Sequence, residues 1–387
     1  MSPRITRKRS RTKEDDNDQP PAKREPELDS PQSGVGAGAT STSGSTSGGS
    51  AHPHAEQQTG QGQASDRDDE FWFEDGTVIL VAWNIEFRFY KGLLASVSPV
   101  FKQLFADCRA VRTVRMDQDQ TFSCPVVHVP DSPEDLRYLL RTCSSKRPGR
   151  LYDEREPSYQ EISAAIRLGR KYQIAELYSQ SVEFLQSYFP NIFLEQRQTA
   201  ALLPPGWKEL DAIGVVNLAR LTGELSLLPS ALVTCICAKS TGPNGIVHGN
   251  TQADGSEEHL SPNDLAICFN GKTSLRTATA AAAFRIFKPI DSRVCKRPAA
   301  CNTAIREVLR SLEDNLGLLL DGDPFPSLRS LCGPRGSIAV CPDCMDMLQE
   351  RSLREWSGVW DRLPELLGIH VPGWGAPPPP QAEVGAT

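Results

Sequence analysis

The sequence predicts an α+β protein in which a small sheet flanked by helices is followed by a mostly helical C-terminal half and preceded by a disordered tail. Three observations carry that reading. Residues 1–67 are almost free of large apolar side chains. Between 71 and 190, short β-branched and aromatic runs alternate with apolar residues at helical spacing. Beyond Trp207 the stripes that can be read are helical.

The tail, 1–69, is dominated by Ser, Thr, Gly, Gln, Pro and charge, and cannot bury enough apolar surface to offset chain entropy. Gly34, Gly36 and Gly38 have no strand before them and no helix after, so they are linker rather than a phosphate loop. Arg7, Lys8, Arg9, Arg11 and Lys13, then Lys23 and Arg24 after an acidic gap, form two basic clusters. Such a pair has the form of a bipartite nuclear import signal; a solvated basic tail is the competing reading. A nuclear or cytoplasmic location, or both, is expected.

Order begins at Phe71. Thr77–Val81 and Ile85–Phe89 read as strands joined by a turn at Trp83 and Asn84. Leu93, Leu94, Val97, Val100, Phe101, Leu104 and Phe105 recur at helical spacing, with Ser98-Pro99 as a cap and first-turn proline. Pro125–Val129 is a third strand. Asp131, Ser132 and Pro133 start a helix striped by Leu136, Leu139, Leu140 and Cys143. The polar stretch from Ser144 to Pro157 reads as an exposed loop. Two amphipathic helices follow, one through Tyr159, Ile162, Ile166 and Tyr172, the other through Tyr178, Val182, Leu185 and Phe189, ended by Pro190.

The segments FWFEDGTVILVAWNIEFRFYKGLLASVSPVFKQLF, PVVHVPDSPEDLRYLL and SYQEISAAIRLGRKYQIAEL resemble, in this order, the BTB/POZ domain, in the versions common in mushroom-forming fungi. Asp75, Phe87, Lys91, Leu94, Ala95, Ser98 and Phe101 stand at the family's pattern positions. Tyr90 departs from it, since the family often has His there. The resemblance covers 70–190 and implies homo- or hetero-oligomerisation, with docking of cullin-type ubiquitin ligase scaffolds or corepressors in many members. It also implies a partner-facing set of Asp75, Lys91, Phe101 and Leu104, with Asp75 and Lys91 partly buried together; an ordinary surface charge pair is the plainer reading.

The second domain, 191–370, is expected to carry a flexible insertion near 239–262, and 371–387 reads as a disordered Pro-rich tail. Cys295-x5-Cys301 precedes a helix through Ile305, Val308, Leu309 and Leu312. Cys341-x2-Cys344 opens another through Met345, Leu348, Leu353 and Trp356. Four thiolates delivered by two helix starts would close a tetrahedral zinc site, although the first spacing is loose and free thiols are the competing reading. No other cofactor is expected. Trp356, Trp360, Leu363, Leu366, Leu367 and Trp374 read as core or docking residues.

Composition narrows the function. At 387 residues there is room for two folded domains plus tails. A net charge of -6 excludes a generally basic, nucleic-acid-coating surface, so no direct nucleic-acid contact is expected. There is no run of ~18 apolar residues to span a membrane, and no apolar run behind the charged first residues to serve as a secretory signal. The 11 cysteines are odd in number and irregularly spaced, which fits reduced thiols. No phosphate loop, G-x-S-x-G elbow or H-E-x-x-H helix occurs, and His128 lies in an apolar strand, as a core or rim residue. The expected role is therefore non-enzymatic: a self-associating interaction module, as a cullin ligase substrate adaptor or, alternatively, a nuclear scaffold without DNA contact.

Overall fold

The computed structural model describes residues 66–115, 121–144, 151–152, 156–193, 203–238, 245–252, 255–289, 295–321, 323–332 and 338–376. The basic clusters between Arg7 and Arg24 lie outside the described residues, so the import-signal expectation does too.

Five strands form a mixed sheet, β1 (Asp66–Trp72), β2 (Val78–Ala82), β3 (Ile85–Phe89), β4 (Val111–Arg115) and β5 (Thr121–Val129), in the order β1-β3-β2-β5-β4. β2 and β3 make the antiparallel hairpin, β1 runs parallel to β3, and β5 runs parallel to β2 with β4 antiparallel at its side. The continuous apolar run VILVA of β2 is buried at every position, as befits a central strand covered on both faces. Val78, Leu80 and Ala82 point into the larger cluster with Phe87 and Phe89; Ile79 and Val81 meet Cys124 on the opposite face.

The helices α1 (Lys91–Val97), α2 (Pro99–Asp107), α3 (Pro133–Ser144), α4 (Tyr159–Lys171) and α5 (Ala175–Tyr188) follow the expected order. Their starts are chemically explicit. The Ser98 side chain accepts the Phe101 N–H at 3.0 Å, with Pro99 in the first turn of α2. Ser158 and Glu161 complete a reciprocal capping box on α4. Leu94, Phe101, Phe105, Leu136, Leu139 and Leu140 seal the sheet.

The C-terminal half contains α6 (Asp211–Thr222), α7 (Leu228–Cys237), a two-stranded ribbon of β6 (Asn250–Thr251) and β7 (Glu257–Glu258), α8 (Pro262–Ile286), α9 (Pro298–Asp314), α10 (Gly317–Leu320), α11 (Leu328–Leu331), α12 (Pro342–Asp361) and α13 (Leu363–Leu367). Among the described residues no helix is long and apolar enough to cross a membrane.

Several boundaries differ from the expectation. Asp66–Asp69 belong to β1 rather than to the tail, because the buried Asp68 carboxylate accepts the Glu70 and Phe71 N–H groups and the Arg137 Nε at 2.6 Å. β4 was not expected at all, and β5 begins at Thr121. The expected loop 144–157 has Leu151 and Tyr152 half-buried, tied to Gln180 and Ser181 of α5. The segment read as a flexible insertion carries β6 and β7, with Ile246, Asn250 and Leu260 buried, because Asn250 donates to Asp211 at 2.9 Å. Val371–Ala376 are not tail: Trp374 stacks on Trp360 and donates to its carbonyl at 3.0 Å, and Gly375 donates to the Asn191 carbonyl.

The expected boundary at 190 runs through shared packing. From α4, Ala165 and Leu168 face the sheet cluster, whereas Tyr159, Ile162 and Ile166 join Val182, Leu185 and Phe189 in the core of the C-terminal helices. A fragment 62–190 would present that second stripe to water as one large apolar patch. It is expected to aggregate and bind a hydrophobic dye that the full chain does not bind. A monodisperse fragment with a cooperative melt would refute this dependence.

Candidate functional site

Asp75 ends the turn after β1, and Lys91 opens α1; both are exposed. They do not pair. Tyr90, the last residue before α1, donates its hydroxyl to Asp75 Oδ1 at 2.8 Å, while Lys91 lies over the Phe105 ring, 6.0 Å from its centroid. The Asp75 carboxylate raises the Tyr90 phenol above its ordinary range, first through that hydrogen bond. The departure at position 90 thus supplies the partner expected of Lys91. Phe101 does not reach the surface either: it is fully buried and stacks on Tyr172 with ring centroids 4.1 Å apart. The reason is helical phase, since Phe101 shares a face with Phe105 against the sheet. Leu104 is on the outer face, 37% exposed, and α1 adds Leu93 and Val97, one turn apart and each 44% exposed. His128 sits on the exposed side of β5.

A second locus joins the two halves, and nothing in the local sequence pointed to it. The Tyr159 hydroxyl donates to the Glu258 carboxylate, 2.8 and 2.7 Å from its two oxygens, and Gln252 donates to Glu258 at 3.3 Å. The Tyr159 ring meets Trp207 edge-on at 5.3 Å, and Trp207 donates to the Pro157 carbonyl. Burial, then the Glu258 charge, pushes the Tyr159 phenol well above its ordinary range, so it remains a donor. Burial raises the Glu258 carboxyl too, against the opposing hydrogen bond from Tyr159.

That shift has a sign. A carboxyl raised in the folded state favours folding most at pH below its ordinary titration, and the contribution is lost as pH rises through the raised value. Glu258→Gln keeps an acceptor and removes the buried charge. Chemical denaturation of both proteins is expected to favour the variant more at pH 7.5 than at pH 4; an unchanged difference would contradict the assignment.

The third locus is built from cysteines. Cys295 precedes α9 and Cys301 lies in its first turn; Cys341 is the residue before α12 and Cys344 lies in its first turn. The structure brings all four together, every sulfur within 4.8 Å of every other and every residue buried. Cys295 and Cys341 sulfurs are 3.8 Å apart, and the Cys341 N–H donates to the Cys301 sulfur at 3.4 Å.

The terminal aromatic residues are core: Trp356 and Trp360 are fully buried, and Phe325 lies 5.3 Å from Trp360. No protein-family model matches this chain, and no curated protein matches it.

Proposed function

We propose that the chain is a non-enzymatic protein-interaction module in which 70–190 is a BTB/POZ-like domain that self-associates and docks a partner. The carrying observation is the exposed apolar set Leu93, Val97 and Leu104 on the paired helices α1 and α2. Contiguous exposed apolar surface marks sites of protein–protein contact. A hairpin, a helix pair, the strand β5 and then three helices follow one another as the family reading expects, with β1 and β4 added to the sheet. A cullin-type ligase scaffold is the partner class this resemblance implies, with the C-terminal half selecting what is delivered.

Sedimentation velocity of the full chain tests the self-association. The wild type is expected to run as a dimer or larger, and Leu93→Asp/Val97→Asp as a monomer with an unchanged melt, since exposed substitutions cost within about 0.5 kcal/mol. A wild type that stays monomeric across the micromolar range would end the proposal.

A further inference from the structure

We propose that Cys295, Cys301, Cys341 and Cys344 hold one Zn2+ ion as a closed structural tetrathiolate centre that joins the starts of α9 and α12. This inference is independent of the self-association reading.

The distances fit a single ion. Zinc–sulfur bonds of about 2.3 Å in a tetrahedron put neighbouring sulfurs about 3.8 Å apart. The Cys295–Cys341 separation is 3.8 Å, and no pair in the cluster exceeds 4.8 Å. Disulfides would instead draw the sulfurs into two bonded pairs of about 2.05 Å. Here the four stand around a common centre.

The surroundings support the cluster geometrically. The Cys341 N–H donates to the Cys301 sulfur at 3.4 Å. Such a donor is outer-shell support that holds a metal ligand in place. Both helices begin with proline, and neither Arg297 nor Cys341, the residues before them, makes a side-chain cap. The positive ends of two helices meet at the cluster. Lys296 and Arg297, exposed and directly after Cys295, offset the two negative charges left when four thiolates bind one divalent ion.

The chemistry balances simply. Four S–H protons pass to solvent and four Zn–S bonds form, with no change of oxidation state. With four sulfurs as ligands and the residues buried, no position is open to substrate, which makes the centre structural. It closes the long excursion between Cys301 and Cys341, and through α12 it fixes the helix packed along α8.

The test uses the purified full chain, dialysed against metal-free buffer. Elemental analysis is expected to give about one zinc per chain, released when a mercurial blocks the thiols. Refolding the chelator-stripped protein with Co2+ is expected to give the intense visible bands and sulfur-to-metal charge transfer of a tetrahedral tetrathiolate. Cys344→Ser is expected to lower metal content at least about tenfold, while Cys108→Ser, in the other core, leaves it unchanged. Should Cys344→Ser fail to fold, the wild-type zinc content and cobalt spectrum decide alone. Zinc below about 0.1 per chain with the thiols free, disulfides found by mass, or iron in place of zinc would each overturn the proposal.

Discussion

Gly214→Ala is expected to be among the most damaging single-methyl additions in the molecule. Gly214 lies in the buried first half of α6, directly beneath the Tyr159 ring. A Cβ there would stand 1.7 Å from the Tyr159 hydroxyl oxygen, 2.2 Å from the ring carbon bearing it and 2.4 Å from a Glu258 oxygen. None of these can step aside cheaply. The hydroxyl is held by both Glu258 oxygens, the ring is wedged against Trp207, and the Gly214 backbone is fixed within a helix. Overpacked cores usually lose about 1–3 kcal/mol, and a clash this deep between restrained groups belongs at the top of that range or above it. The cause can be isolated with Tyr159→Leu, which ends the side chain short of the collision. In that background alanine at 214 is expected to cost at least about 1 kcal/mol less, the coupling of two residues in contact. Equal losses in both backgrounds would show that the glycine serves something other than this approach.

That junction also shows what a sequence reveals and what it conceals. Leu136, Leu139 and Leu140, or Ile162 and Ile166, announce their helices because the signal is local and periodic. Ser98-Pro99 does the same for the start of α2, since a cap is a contact between near neighbours. β1 announces nothing: DRDDEFW reads as a charged tail, and it is a strand because Arg137, far along the chain, meets Asp68. The same holds for Glu86 and Arg112, which form a two-pronged ion pair across the sheet, and for the insertion that Asn250 and Glu258 anchor to α6 and α4. Pairings between distant positions leave no period to detect.

The cysteines fall between these cases. Each pair is legible by itself, because Cys341-Pro-Asp-Cys344 and Cys295-x5-Cys301 both sit at helix starts that their prolines mark. Their meeting is not legible, since about forty residues and two short helices separate the pairs. The partner-facing set fails for a subtler reason. Family position places Phe101 and Leu104 together, but three residues advance about 300° around a helix and leave the two side chains about 60° apart, and the sheet claims the first.

Phe101→Ala is accordingly expected to remove about 3–5 kcal/mol, the usual loss for a fully buried aromatic cut back to alanine. The ring is sealed between Tyr172 and Phe105, and the Tyr172 carbonyl accepts the Ser98 hydroxyl at 2.5 Å, so the cavity would open beneath the cap of α2 itself. Leu104→Ala, on the solvent side of the same helix, is expected to cost less than about 1 kcal/mol, because little apolar surface returns to water there. Denaturant midpoints of the two variants measure the contrast, and similar losses would mean that α2 is not seated with Phe101 inward. The contrast governs how any binding assay on this face is read. A partner lost with Phe101 replaced reports an unfolded domain, whereas a partner lost with Leu104→Asp, its melt unchanged, reports a contact. Leu93, Val97 and Leu104 are therefore the positions at which docking and folding can be separated, and the interaction reading stands or falls on them.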